Sequence, residues 1–151
     1  MNRTIAALAA ALCLLLAGCG KTQSESPYDK EDVTALLDSG VFSETLEEVD
    51  HDILYGLYGL DSSLISDSVA YLSTGATAEE LALFVLNEAK DTGTVKAACE
   101  KRVADQIAAY ESYGPAEVTK LEGAVISVRE NTVLLVVGQD ADTVQKAVDD
   151  L

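Results

Sequence analysis

Residues 5–16 form an unbroken apolar run, with Arg3 ahead of it and the small residues Ala17 and Gly18 leading to Cys19 behind it. This feature constrains the fold before any other. A positive start, a short apolar stretch and small residues ahead of a cleavage point are the layout of a secretory signal, which leaves before the mature chain folds. The run is too short to span a bilayer, which takes about 20 residues. The part expected to fold is residues 27–151, about 125 residues, enough for a single domain with its own core and too few for two.

The residues Leu16-Ala17-Gly18-Cys19 resemble the closing box of the bacterial lipoprotein signal family. The resemblance implies cleavage of residues 1–18, a diacylglyceryl thioether on Cys19 and acylation of the new amine. Several acyl chains anchor stably where one does not, each buried methylene contributing about 0.8 kcal/mol. Residues 19–26 then form a short lipidated tether reaching on the order of 20 Å. The expected location is therefore the extracytoplasmic face of the bacterial cell membrane, lipid-anchored. The rival reading is an ordinary secreted protein in which Cys19 is incidental. Processing also sets the cysteine count: Cys13 leaves with the signal, Cys19 carries lipid, and Cys99 remains alone. No disulfide can form within such a mature chain, so the fold must rest on its core.

The full sequence holds 10 basic and 26 acidic residues, a formal charge of −16. Such a surface excludes nucleic acid as a partner, because phosphates are bound through basic side chains. It is repelled by anionic headgroups as well, so the domain is expected to stand off the bilayer.

Helical and strand periodicities alternate along the domain. Ser26-Pro27 reads as a cap for a helix over 27–39 closed by Gly40, with Val33, Leu36 and Leu37 on one face. Asp50 reads as the cap of a short helix turning Ile53, Leu54, Leu57 and Tyr58 inward and ending at Gly59. Residues 69–73 read as a strand. Thr77-Ala78-Glu79-Glu80 fits a helix capping box, yet residues 81–86 are apolar without a helical period. Strand is preferred there, since a marked helix over 94–113 needs a sheet to cover. That helix carries Val95, Cys99, Val103, Ile107 and Tyr110 on one stripe, and Gly114-Pro115 stops it. Residues 116–121 add a short helical turn. Strands over 124–129 and 132–137 join at Glu130-Asn131, where Asn131 tolerates the positive φ of a tight turn. Val133-Leu134-Leu135-Val136-Val137 is apolar on both faces and belongs in a sheet interior. Asp140 caps a last helix with Val144, Ala147, Val148 and Leu151 on one stripe. The expected class is α+β: an antiparallel sheet of about four strands with helices packed mainly on one face.

Two stretches, Leu57-Tyr58-Gly59-Leu60-Asp61 and Ser73-Thr74-Gly75-Ala76-Thr77-Ala78-Glu79-Glu80-Leu81-Ala82-Leu83-Phe84, carry a second resemblance. Tyr113-Gly114-Pro115 and the strand Asn131-Thr132-Val133-Leu134-Leu135-Val136-Val137 belong with them. Together they resemble the bacterial lipoprotein family of domain of unknown function 4358, over nearly the whole mature domain. The resemblance implies a lipobox, a short tether and one acidic domain. It implies no activity and no catalytic residues.

Candidate chemistry is sparse. His51, the one histidine, stands between Asp50 and Asp52 and suits proton transfer near neutral pH. It lacks the convergent spacing of a zinc site, and an exposed helix cap is the preferred account of it. Cys99, on an apolar stripe, is expected to be buried; a reactive thiol would need exposure and basic neighbours such as Lys96 and Lys101. No serine sits in a Gly-x-Ser-x-Gly elbow, no glycine loop cradles phosphate, and no Asp-x-Asp-x-Asp-Gly loop holds Ca²⁺. Neither a metal site nor a cofactor is expected. Tyr55 and Tyr58, beside Gly56 and Gly59 and the acidic Glu47 and Glu48, offer a possible binding lip, since tyrosine joins a flat apolar body to a hydroxyl. Core packing of the rings, with hydroxyls reaching water, explains the same residues and is the preferred account of them; the segment is nonetheless the surface chosen if the domain binds a partner. The reading that follows is an interaction module near the membrane, meeting an envelope protein or wall ligand through Tyr55, Tyr58, Glu47 and Glu48. The alternative is an envelope hydrolase using His51 and acidic residues.

Overall fold

The computed structural model describes residues 26–75 and 77–151. The expected signal over 1–18, the lipidation site Cys19 and tether residues 19–25 lie outside the described residues. Five strands form one antiparallel open sheet in the order β1-β2-β3-β5-β4: β1 Glu47–Glu48, β2 Ile65–Leu72, β3 Glu80–Leu86, β4 Val125–Arg129 and β5 Thr132–Val137. Among the described residues, five α-helices accompany them: α1 Lys30–Asp38, α2 His51–Tyr58, α3 Thr92–Tyr110, α4 Pro115–Glu122 and α5 Ala141–Asp149. The α+β class stands. The fifth strand, β1, is only two residues long and carries no apolar signal of its own.

The helices do not gather mainly on one face. Successive residues of β3 and β5 point to opposite faces, and both sets are apolar. Ala82, Phe84 and Leu86 of β3, with Val133, Leu135 and Val137 of β5, pack with Leu54 of α2, Val95 and Cys99 of α3 and Leu121 of α4. Leu81 and Leu83, with Leu134 and Val136, pack on the other side with Val33 and Leu36 of α1 and Val144 and Val148 of α5. Every residue of β5 is buried. A central strand apolar on both sides demands cover on both sides, and that requirement overrides the one-face expectation.

Residues 80–86 are a strand, as preferred, and the capping-box signal before them starts no helix. Glu80 pairs in register with Leu72 and with Val137, so β3 is laddered on both edges. Local helix propensity loses to two rows of backbone hydrogen bonds and two buried faces. Other boundaries shift for local reasons. The cap of α1 is Asp29, not Ser26: its carboxylate accepts from the Glu31 and Asp32 amides, and Asp32 returns a bond to the Asp29 amide. Tyr28, freed from the helix, is buried against the sheet, its amide donating to Thr132 Oγ1 at 3.0 Å. Of the four α2 residues expected to face inward, Leu54 and Tyr58 are buried while Ile53 and Leu57 are exposed, since so short a helix presents one narrow stripe. The hairpin's positive φ falls on Glu130 (47°) instead of Asn131. Asn131 serves the sheet: its Nδ2 donates to Leu86 O at 2.8 Å, and its carbonyl accepts from the Leu86 amide at 2.8 Å. No helix among the described residues is long and apolar enough to cross a membrane.

Candidate functional site

The short strand β1 brings the acidic segment to one edge of the sheet, pairing Glu47 with Leu72 and Glu48 with Tyr71. The Val49 amide bonds to Ala70 O at 3.0 Å, and α2 starts two residues later at His51. The first turn of α2 is thereby held beside β2. His51 Nδ1 lies 2.8 Å from Ser68 Oγ, and the Tyr55 hydroxyl reaches the same oxygen at 3.0 Å. Ser68 is only 3 % exposed, so its hydroxyl is committed to these two partners. The His51 and Tyr55 rings sit 6.0 Å apart, tilted by 44°.

A pocket of about 230 Å³ opens at this edge, with Lys30, Thr34, Glu48, His51, Ser68 and Tyr71 among its walls. The Tyr71 hydroxyl donates to Glu48 Oε2 at 3.3 Å; burial, and then the Glu48 charge, push its phenol above the usual range. Lys30 Nζ is 2.9 Å from Asp67 Oδ2, and hydrogen bonding to Lys30 lowers the Asp67 carboxyl. The rim therefore offers an ammonium, a carboxylate, an imidazole and a phenol within one small concavity.

Of the residues picked from sequence, Glu48, His51 and Tyr55 come together here. Glu47 is exposed on the same strand, but strand alternation turns it to the opposite face from Glu48. Tyr58 does not belong to a binding lip. It is 5 % exposed, edge-on to Phe84 with ring centroids 5.0 Å apart, and its hydroxyl donates to Glu80 Oε1 at 2.6 Å. One turn separates Tyr55 from Tyr58, and that turn carries the second ring from the sheet margin into the core. Sequence reasoning missed Lys30, Ser68 and Tyr71, which join the site only through sheet pairing and the α1 approach.

It also missed a buried ionic inclusion at the start of β3. Glu80 accepts from Arg102 Nη2 at 3.1 Å and Nε at 3.3 Å as well as from Tyr58. Burial, and then Glu80, push the Tyr58 phenol well up. Beside it, Glu79 accepts from the Ser43 amide at 2.8 Å and from Lys120 Nζ at 3.0 Å. Burial opposes the Lys120 charge, yet its bonds to Glu79 and Glu117 outweigh that and raise its pKa. Glu44 closes the adjoining loop by accepting from Ser73 Oγ and Thr77 Oγ1, which lowers its carboxyl. The only sequence trace of all this is a pair of adjacent glutamates ahead of an apolar strand. Every buried side-chain polar atom among the described residues has a partner, so the inclusion is a closed structural unit.

Cys99 lies in the core, and burial followed by the Glu80 and Glu100 charges push its thiol up to about 12. Only the thiolate is an effective nucleophile. In the folded protein Cys99 should therefore resist iodoacetamide at neutral pH and react fully in denaturant. Mass spectrometry of the two samples checks this; rapid native labelling would place the thiol at the surface.

Among the described residues, no group of three or more His, Cys, Asp or Glu is disposed to hold a metal ion. No curated protein and no solved structure matches the chain. A family model does match, over residues 38–138, from the last residue of α1 to just before α5. That span holds the whole sheet and the helices of one face, leaving the α1 and α5 cover of the other face to the flanking segments. The chain belongs to the family described as domain of unknown function (DUF4358).

Proposed function

We propose that the chain is an extracytoplasmic interaction module, anchored to the bacterial membrane through acyl chains on Cys19, which recognises a polar ligand or envelope protein at the β1–α2 edge. The observation that carries the reading is the small pocket whose lining presents Lys30, Glu48, His51 and Tyr71 together. Mixed donors and acceptors around a small, mainly polar concavity suit recognition by hydrogen bonds more than a reaction that must exclude water. Lys30 begins α1, eleven residues after Cys19. At ~3.5 Å per extended residue the pocket stays within roughly 40 Å of an anchor there, which suits a partner close to the bilayer.

The hydrolase reading has one observation in its favour, the 2.8 Å contact between His51 Nδ1 and Ser68 Oγ. Against it, Ser68 is buried and shared with Tyr55, and no carboxylate bonds to the imidazole among the described residues. A nucleophile needs access to its substrate and a base that a third group orients. The binding reading is therefore preferred.

Two measurements test the proposal. Cys19→Ala should abolish incorporation of labelled palmitate and release the protein from washed membranes; persistent lipid labelling overturns the anchor. A photo-crosslinker placed at position 48 should trap a partner in intact cells, and His51→Ala with Lys30→Ala should cut that product about tenfold while circular dichroism is unchanged. An undiminished crosslink excludes the pocket, and hydrolysis lost with His51→Ala would favour the enzyme instead.

A further inference from the structure

The two edges of the sheet differ. The β1 edge is two residues long and both are glutamates, a short charged end of the kind that discourages pairing. The β4 edge runs Val125-Ile126-Ser127-Val128-Arg129, with no proline and no lysine, and Val128 is exposed. Arg129 and Thr132 are register partners flanking the two-residue turn. In an antiparallel ladder beginning there, Ile126 and Val128 turn their N–H and C=O away from β5. Among the described residues, these outward groups find no partner in any neighbouring loop or helix. Along the same edge runs a groove of about 620 Å³, walled by Gln145, Val148 and Asp149 of α5 and by Tyr28. Tyr28 is fixed there, with its hydroxyl 2.7 Å from Ser127 Oγ and the Arg129 guanidinium 4.1 Å over its ring.

We infer that the β4 edge takes up an extended, basic segment of a partner protein as a sixth strand, its side chains seated between β4 and α5. Backbone pairing supplies affinity in such an arrangement, and the flanking helix supplies selectivity. Charge selects the occupant. Arg129 is engaged with Tyr28, Glu130 and Asp149 border the groove, and the chain carries −16 overall. A second copy would bring another −16 to the same edge, whereas a lysine-bearing strand is attracted to it. This surface lies at the opposite end of the sheet from the His51 pocket, so the inference stands apart from the proposed function.

Amide hydrogen exchange on the full lipidated chain in neutral detergent micelles tests it. The probes are acetyl-KVTVKV-amide, its backbone N-methylated twin and a twin with glutamate for lysine. The basic peptide should slow exchange at Ile126 and Val128 about tenfold, and the two twins should not. Val128→Pro, which removes an outward N–H that the β4–β5 ladder does not use, should abolish the effect, while Val128→Thr should keep it. An equal response to the N-methylated twin, preference for the acidic twin, or no response to any peptide overturns the inference. So does protection already complete in the free chain: with a dimer in sedimentation the occupant is a second copy, with a monomer it is the chain's own segment. Should Val128→Pro fail to fold, the N-methylated comparison on the unaltered chain decides.

Discussion

Glu80→Ala is expected to destabilise the domain by about 3–5 kcal/mol in urea unfolding, because it leaves a buried cation without its counter-charge. Arg102 has only 12 % of its side chain exposed and gives its bonds in this direction to Glu80, whose own side chain is 4 % exposed. Tyr58, wholly inside, loses its hydroxyl acceptor in the same step. A surface ion pair would behave otherwise. Lys101 and Asp105, a helix pair with both side chains mostly exposed, should lose no more than about 0.5 kcal/mol on truncation. Replacing the whole unit with Glu80→Leu, Arg102→Met and Tyr58→Phe should restore most of the lost stability, since no polar group then remains uncompensated. A cost below about 1 kcal/mol for Glu80→Ala would show that water reaches Arg102 and that the inclusion is not closed.

Phe84→Ala is expected to cost a similar about 3–5 kcal/mol, for a different reason. Phe84 is fully buried, stacked edge-on to Tyr58 within the face covered by α2, α3 and α4, and its loss leaves a cavity that sheet and helices cannot close. Leu134→Ala samples the opposite face, among α1 and α5, and should cost about 2–5 kcal/mol. A domain of this size is stable by about 5–15 kcal/mol, so either change removes a large share. Urea midpoints with unchanged m-values would show that both layers unfold together. If Leu134→Ala costs less than about 1 kcal/mol while Phe84→Ala costs several, the α1–α5 layer is an accessory and not a core.

Much of the element order was legible because the signals were local. Asp140 caps α5 through the Thr143 amide as its position before the Val144–Val148 stripe suggests. Gly59 ends α2 in the left-handed conformation that glycine adopts without strain. The apolar run after Glu80 reads as a strand, and the β4–β5 hairpin reads from its two-residue turn. The site was legible only in pieces. Glu48, His51 and Tyr55 stood out by type, but nothing in the chain says that Ser68, thirteen residues beyond Tyr55, receives two of them. Tyr58 carried two readings, an inward helix position and a binding rim, and its burial bears out the first; spacing of three on a short helix cannot by itself tell a rim from a floor. Glu79 and Glu80 looked like a cap because that is the commonest local use of such a pair.

From the chain alone come the alternating helices and strands, the acidic surface, the lone core cysteine and a central strand too apolar to face water on either side. Each of these depends on residues within a turn or two of one another, or on composition. Tertiary structure alone decided that two helical layers enclose the sheet, that Glu80 meets Arg102 and Tyr58 in the interior, and that β4 forms the longer of the two sheet edges. Those outcomes rest on contacts between segments far apart in sequence, where burial of apolar surface and the need to satisfy each buried charge outweigh local preference.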